Sequence, residues 1–185
     1  DAYNLTPWDH TLVLDADYVV ASNQLSCLFD VDQDFLAPRW AYEVTGTGDF
    51  AHNNFFGKNK MPMSWATIMM FKRSRRAELM FGTMQMIKEN WIHYKELYGL
   101  EKYTYRNDIS LSIAMSILDG HTLTFPGVPW QLASVNPENP ITQLSEDSYR
   151  VDFLTQDKKP RWIVLNQDFH ALGKKHLGAI VANNT

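Results

Sequence analysis

The chain has a single cysteine, Cys27, among 185 residues. One thiol excludes an internal disulfide and any zinc site built on cysteines, and a reducing, cytoplasmic setting is the simplest expectation. No apolar run approaches the roughly 18 residues that a membrane-spanning helix needs, so no transmembrane segment is predicted. Excess positive charge is also lacking: 17 Lys and Arg stand against 21 Asp and Glu, for a formal net charge of -4 and a pI of about 5.8. That balance argues against stable electrostatic binding of nucleic acid and leaves it only the part of a transient substrate. The first residues, Asp1-Ala2-Tyr3-Asn4, lack an initiator Met, a basic start and an apolar h-region. No signal peptide is expected there, and the chain is expected to be a fragment or to lack an upstream segment.

What the chain does have is apolar material. Hydrophobic residues make up 45% of it, enough for one compact α/β domain spanning residues 1–185. Most of its aromatic residues read as core filling. Thr11-Leu12-Val13-Leu14 is an apolar run without alternation, which predicts a strand buried on both faces in a mainly parallel sheet. Ser22 is placed to cap a short helix carrying Leu25, Leu28 and Phe29. Residues 39–43 predict a short strand, 45–60 a long loop, and 64–71 a second buried strand. Ser74 is placed to cap a long helix, in which Ala77, Met80, Phe81, Met84, Ile87, Trp91 and Tyr94 recur at helical spacing up to about Tyr98. Gly99 supplies its stop signal. Asn107 or Asp108 opens the next helix and Gly120 closes it. Residues 122–125 read as a strand, 126–140 as loop, 149–154 and 161–166 as strands, and 174–181 as a last short helix.

The feature that carries chemistry is Asp15-Ala16-Asp17, which follows Leu12-Val13-Leu14 and precedes Tyr18-Val19-Val20. Carboxylates at i and i+2 can turn toward one site as a strand ends. Ligands of open α/β sheets bind at that edge. Hard cations such as Mg²⁺ or Mn²⁺ take one or two carboxylates together with substrate phosphates. Solvated strand-end acids are the plain alternative, and the apolar flanks on both sides favour the cation. Asp30, Asp32 and Asp34 form a rival acidic cluster with no strand before it, and read as a solvated loop.

On these residues the chain resembles the GT-A nucleotide-sugar glycosyltransferases, in particular the glycogenin-like, family-eight group with its bacterial and phage relatives. Thr6 to Asp17 resembles the stretch that leads into that family's metal-binding Asp-x-Asp, and Leu25 to Phe29 the short helix after it. Ser64-Trp65-Ala66-Thr67-Ile68-Met69-Met70-Phe71 resembles the core strand set against the donor sugar. Arg106-Asn107-Asp108 resembles the acidic position near the reaction centre. His170-Ala171-Leu172-Gly173-Lys174-Lys175 resembles the family's His-x-x-Gly segment, in which the His completes the metal site and the Gly and a nearby Lys contact the diphosphate. The family's Lys stands three places after the Gly, where this chain has His176.

The resemblance implies a GT-A-like mixed, mainly parallel sheet flanked by helices. It also implies that the chain is the C-terminal portion of such a catalytic domain. The family's Asp-x-Asp follows about a hundred residues of nucleotide-binding βαβ units, whereas fourteen residues precede Asp15 here.

The function so implied is metal-dependent transfer of a sugar from a nucleotide-diphosphate sugar to a glycan, protein, lipid or modified-base acceptor. Asp15, Asp17 and His170 would hold Mn²⁺ or Mg²⁺. Gly173 with Lys174 or Lys175 would meet the diphosphate, Ser64 and Trp65 would lie against the donor, and Asp108 and Asn107 would lie near the reacting sugar. Two rivals stand beside this. One is a HAD-type phosphatase with Asp15 as nucleophile, although Val19 replaces its usual Thr and its later acidic motif is missing. The other is a non-catalytic GT-A-like binding module. A nucleotidyltransferase would need a Gly-rich phosphate loop, which the sequence lacks.

Overall fold

The computed structural model describes residues 2–47, 54–121, 127–174 and 176–178. In chain order its elements are α1 (Ala2–Leu5), β1 (His10–Leu14), β2 (Tyr18–Val19), a 3-10 helix (Gln24–Phe29), β3 (Phe35–Leu36), β4 (Ala41–Glu43), β5 (Phe55–Phe56) and β6 (Met61–Pro62). There follow β7 (Ile68–Lys72), α2 (Arg75–Glu89), α3 (Trp91–Leu97), α4 (Asn107–Leu118), β8 (Leu132–Val135), β9 (Ile141–Ser145), β10 (Ser148–Leu154), β11 (Pro160–Leu165) and β12 (Phe169–Ala171). The protein is mixed α/β, and its sheets are small. No helix among the described residues is long and apolar enough to cross a membrane.

The chain forms two compact units drawn from interleaved segments. The first comprises Asp1–Leu14, Val31–Trp40 and His52–Gln131, and the second Asp15–Asp30, Ala41–Ala51 and Leu132–Thr185. No single cut along the sequence separates them, which is why no linker is legible in it.

The first unit pairs β1, β7 and β3 in one antiparallel sheet, with Leu12 opposite Met70 and Leu36 also opposite Met70. Ser74 caps α2 as its spacing predicts, its side chain accepting from the Ala77 N–H at 3.2 Å. Ala77, Met80, Phe81, Met84 and Ile87 form the buried stripe of that helix. The expected run to Tyr98 is interrupted at Asn90, whose side-chain amide donates to the Met86 carbonyl at 2.9 Å. Such local bonding competes with the helical ladder and divides the segment into α2 and α3. Gly99 takes the left-handed conformation expected of a stop, with φ 65°. Helix α4 is buried continuously from Ile109 to Ser116, and its interior serines find partners: Ser110 Oγ donates to the Met84 carbonyl at 3.1 Å, and Ser112 Oγ to the Asp108 carbonyl at 2.6 Å.

The second unit contains a four-stranded sheet in the order β2-β12-β8-β4 and a three-stranded antiparallel sheet in the order β11-β10-β9. In the first of these, β8 pairs in parallel with both β12 and β4, whereas β2 is antiparallel to β12. One face of this sheet is apolar. Phe169, Ala171, Ala133 and Val135 join Ile141, Tyr149, Val151 and Leu165 of the other sheet in one core, with Val19 packed against it. The alternation of strands puts the intervening residues on the opposite face. There Tyr18, His170, Ser134 and Glu43 stand in register across the sheet, all of them buried.

Several expectations need correction. The sheets are not mainly parallel: among the described residues only the β12–β8 and β8–β4 pairings are. Strand β1 is only half-buried and runs antiparallel to β7, so its unalternating apolar run did not signal a parallel, doubly covered strand. Residues 126–140 were expected as loop, yet they hold β8, the fully buried strand at the centre of the four-stranded sheet. The expected loop at 45–60 contributes β5, and its residues 48–53 lie outside the described ones. The expected strand at 122–125 also lies outside the described residues. Of the predicted last helix, Lys174 and His176–Gly178 are helical, and residues 175 and 179–181 are not described.

Candidate metal centre

The site begins as a turn. After β1 the chain reverses through Asp15-Ala16-Asp17-Tyr18, closed by the Tyr18 N–H donating to the Asp15 carbonyl at 3.0 Å. This turn, rather than strand pleating, directs carboxylates at i and i+2 toward one place. Strand β2 then pairs antiparallel with β12, with Tyr18 opposite His170. The backbone clamp extends one step further, since the Ala171 N–H donates to the Asp17 carbonyl at 2.8 Å. His170 is therefore delivered beside the turn by main-chain pairing, on the face of β12 opposite to Phe169 and Ala171.

The side chains meet accordingly. His170 Nε2 lies 3.1 Å from Asp17 Oδ1. One ligand atom each from Asp15, Asp17 and His170 lie within 4.8 Å of one another, with Asp15 exposed, Asp17 half-buried and His170 buried. Adjacent ligands of an octahedral ion with bonds of about 2.1 Å stand about 3.0 Å apart, so the Asp17–His170 separation is already that of two neighbouring ligands. Two carboxylates and an imidazole suit Mg²⁺ or Mn²⁺ and leave coordination positions for phosphate oxygens. The residues present thus fit such a cation.

The sequence reading missed Asp168, the acid two residues before His170. It is 2% exposed, and its carboxylate takes four donors from residues 18–22, three of them on Oδ1. The Ala21 N–H, the Ser22 N–H and the Ser22 hydroxyl donate to Oδ1 at 2.9, 2.7 and 2.8 Å. The Tyr18 hydroxyl donates to Oδ2 at 3.4 Å. Burial, and then the Asp168 charge, push the Tyr18 phenol well above its usual pKa, so it remains a donor. Ser22 was expected as a helix cap. Asn23 instead occupies the cap position without a side-chain bond, and the Ser22 hydroxyl is directed at Asp168.

The other candidates are placed differently. Gly173 has a local steric reason to be glycine: a Cβ there would stand 2.7 Å from the Pro137 carbonyl oxygen and 3.1 Å from His176 Cδ2. Lys174 is exposed, and Lys175 lies outside the described residues. Asp108, Asn107, Ser64 and Trp65 belong to the first unit. Asp108 Oδ1 accepts from the Ala66 N–H at 2.8 Å and Oδ2 from Arg106 at 2.6 Å. Arg106, not Asn107 or Asp108, holds the cap position of α4. The Asn107 side chain accepts from the Tyr105 hydroxyl at 3.3 Å. Ser64 and Trp65 are 0% and 4% exposed. No family model, curated protein or solved structure matches the chain.

Proposed function

We propose that this chain is the metal- and diphosphate-binding portion of a GT-A-like glycosyltransferase, which transfers a sugar from a nucleotide-diphosphate donor to an acceptor. The observation that carries this reading is the convergence of Asp15, Asp17 and the distant His170, as the motif resemblance implies. A bound Mn²⁺ or Mg²⁺ supplies positive charge that offsets the charge of a departing diphosphate. The chain's own part is to hold two carboxylates and one imidazole in place before the ligand arrives. In this reading His170 binds as the neutral imidazole, whose free electron pair makes it a ligand. In this reading Lys174, exposed and four residues beyond His170, adds positive charge to the diphosphate.

The test is calorimetric titration of a nucleoside diphosphate in the presence and absence of Mn²⁺, followed by assay of nucleotide-sugar turnover. Mn²⁺-dependent nucleoside diphosphate binding that disappears in Asp17→Ala supports the reading. Hydrolysis of a simple phosphomonoester that depends on Asp15 would favour a phosphatase instead. Diphosphate binding without transfer to any acceptor would favour a binding module.

A further inference from the structure

We infer that Asp168 is a positioning residue for the cation site: it locks the chain just after the Asp15–Asp17 turn onto the strand that carries His170. This rests on the reading of Asp15, Asp17 and His170 as cation ligands. The inference starts from a cost. A carboxylate buried to 2% exposure is unfavourable unless its oxygens are fully occupied by donors. Here, among the described residues, the donors to Asp168 come from residues 18 to 22, about 150 positions earlier in the chain. Asp168 directly precedes β12 and His170 lies within it two residues on, so an anchor at Asp168 bears on the placement of His170. Tyr18 follows Asp17 directly and is the register partner of His170.

The result is a clamp around β2, with His170 between its two anchor points and the Asp15–Asp17 turn at one end. On one side the Ala171 N–H holds the Asp17 carbonyl. On the other side Asp168 holds Ala21 and Ser22. Between them β2 contributes only two paired residues, Tyr18 and Val19, which is too short a strand to fix a turn by itself. Asp168 is not one of the convergent cation ligands, and its oxygens are committed to the loop. Its effect on a cation is therefore through placement. Residues that orient metal ligands in this manner typically change affinity about 10- to 100-fold when removed.

The test is Mn²⁺ affinity of the intact chain, measured by paramagnetic resonance of the free ion, at a temperature where circular dichroism shows each variant folded. Asp168→Ala is expected to raise the dissociation constant by about 10- to 100-fold. Asp168→Asn keeps an oxygen for the three Oδ1 donors and is expected to stay close to wild type. Ser22→Ala removes a single donor without opening a buried space and is expected to weaken binding about two- to fivefold.

A folded Asp168→Ala protein with unchanged affinity would overturn the inference, as would Asp168→Asn weakened as severely as Asp168→Ala. If Asp168→Ala does not fold, unchanged affinity in Ser22→Ala overturns it. Wild-type protein that binds no Mn²⁺ overturns both this inference and the functional reading beneath it, whereas wild-type binding with insensitive variants overturns this inference alone.

Discussion

His170 Nε2 and Asp17 Oδ1 lie 3.1 Å apart although 153 residues separate them in the chain. Backbone pairing brings them together, so the contact belongs to the fold and does not wait for a ligand. Ligands held in place beforehand lose little freedom on binding. Binding to the folded state alone then raises stability by mass action, by about 2.7 kcal/mol at a hundredfold excess over Kd. Millimolar Mn²⁺ is therefore expected to raise the unfolding temperature of wild-type protein clearly more than that of His170→Ala. Differential scanning fluorimetry with and without the ion checks this.

Gly173 sits where a side chain has no room. A Cβ would meet the Pro137 carbonyl oxygen at 2.7 Å, and backbone atoms do not yield as a flexible side chain does. Gly173→Ala is expected to cost about 1–3 kcal/mol from overpacking. Urea denaturation measures the loss, and a variant as stable as wild type would contradict the steric account.

Asp108 is anchored within the first unit, through Ala66 and Arg106. Asp108→Ala leaves the Ala66 N–H without this acceptor, at a cost of about 1–3 kcal/mol. Asp108→Asn keeps an acceptor oxygen and is expected to recover most of that loss. Equilibrium unfolding of the two variants separates an anchoring carboxylate from one whose removal leaves stability untouched.

Tyr149 belongs to the core of the second unit, edge-on to Phe169 with ring centroids 5.3 Å apart. Burial, then the charges of Asp147 and Glu146, raise its pKa above the ordinary 10.0. A raised folded pKa means that the folded state holds the proton more tightly. The associated stability is complete below pH 10.0 and is lost as pH rises through the higher folded value. Unfolding temperature is expected to fall less steeply above that pH in Tyr149→Phe than in wild type. Tyr18 and Tyr98 are raised as well, so the slope shrinks without vanishing.

The elements legible in the sequence are those whose signals are local. The Ser74 cap, the stripe from Ala77 to Ile87 and the Gly99 stop lie within one segment, and the structure returns them with a break at Asn90. Strands β10 and β11 are separated by an obvious turn, and they pair as neighbours. Strands β8 and β12 escaped detection because they are short and owe their existence to distant partners. Leu132-Ala-Ser-Val sits among prolines and asparagines, and only its pairing with residues near 42 and 170 makes it a strand.

The site divides in the same way. Asp15 and Asp17 carry a motif, and His170 entered through resemblance to a family segment. Asp168 carries no motif. Its signal is a buried carboxylate with three donors on Oδ1, visible only once residues 18–22 are folded against it.

The most direct measurement is titration of Mn²⁺ into the folded chain, with bound and free ion distinguished by paramagnetic resonance. One site per chain, weakened by more than about tenfold in Asp15→Asn, in Asp17→Asn and in His170→Ala alike, is the predicted result. Absence of a stoichiometric site in the wild type, or a site that survives all three substitutions, would contradict the account.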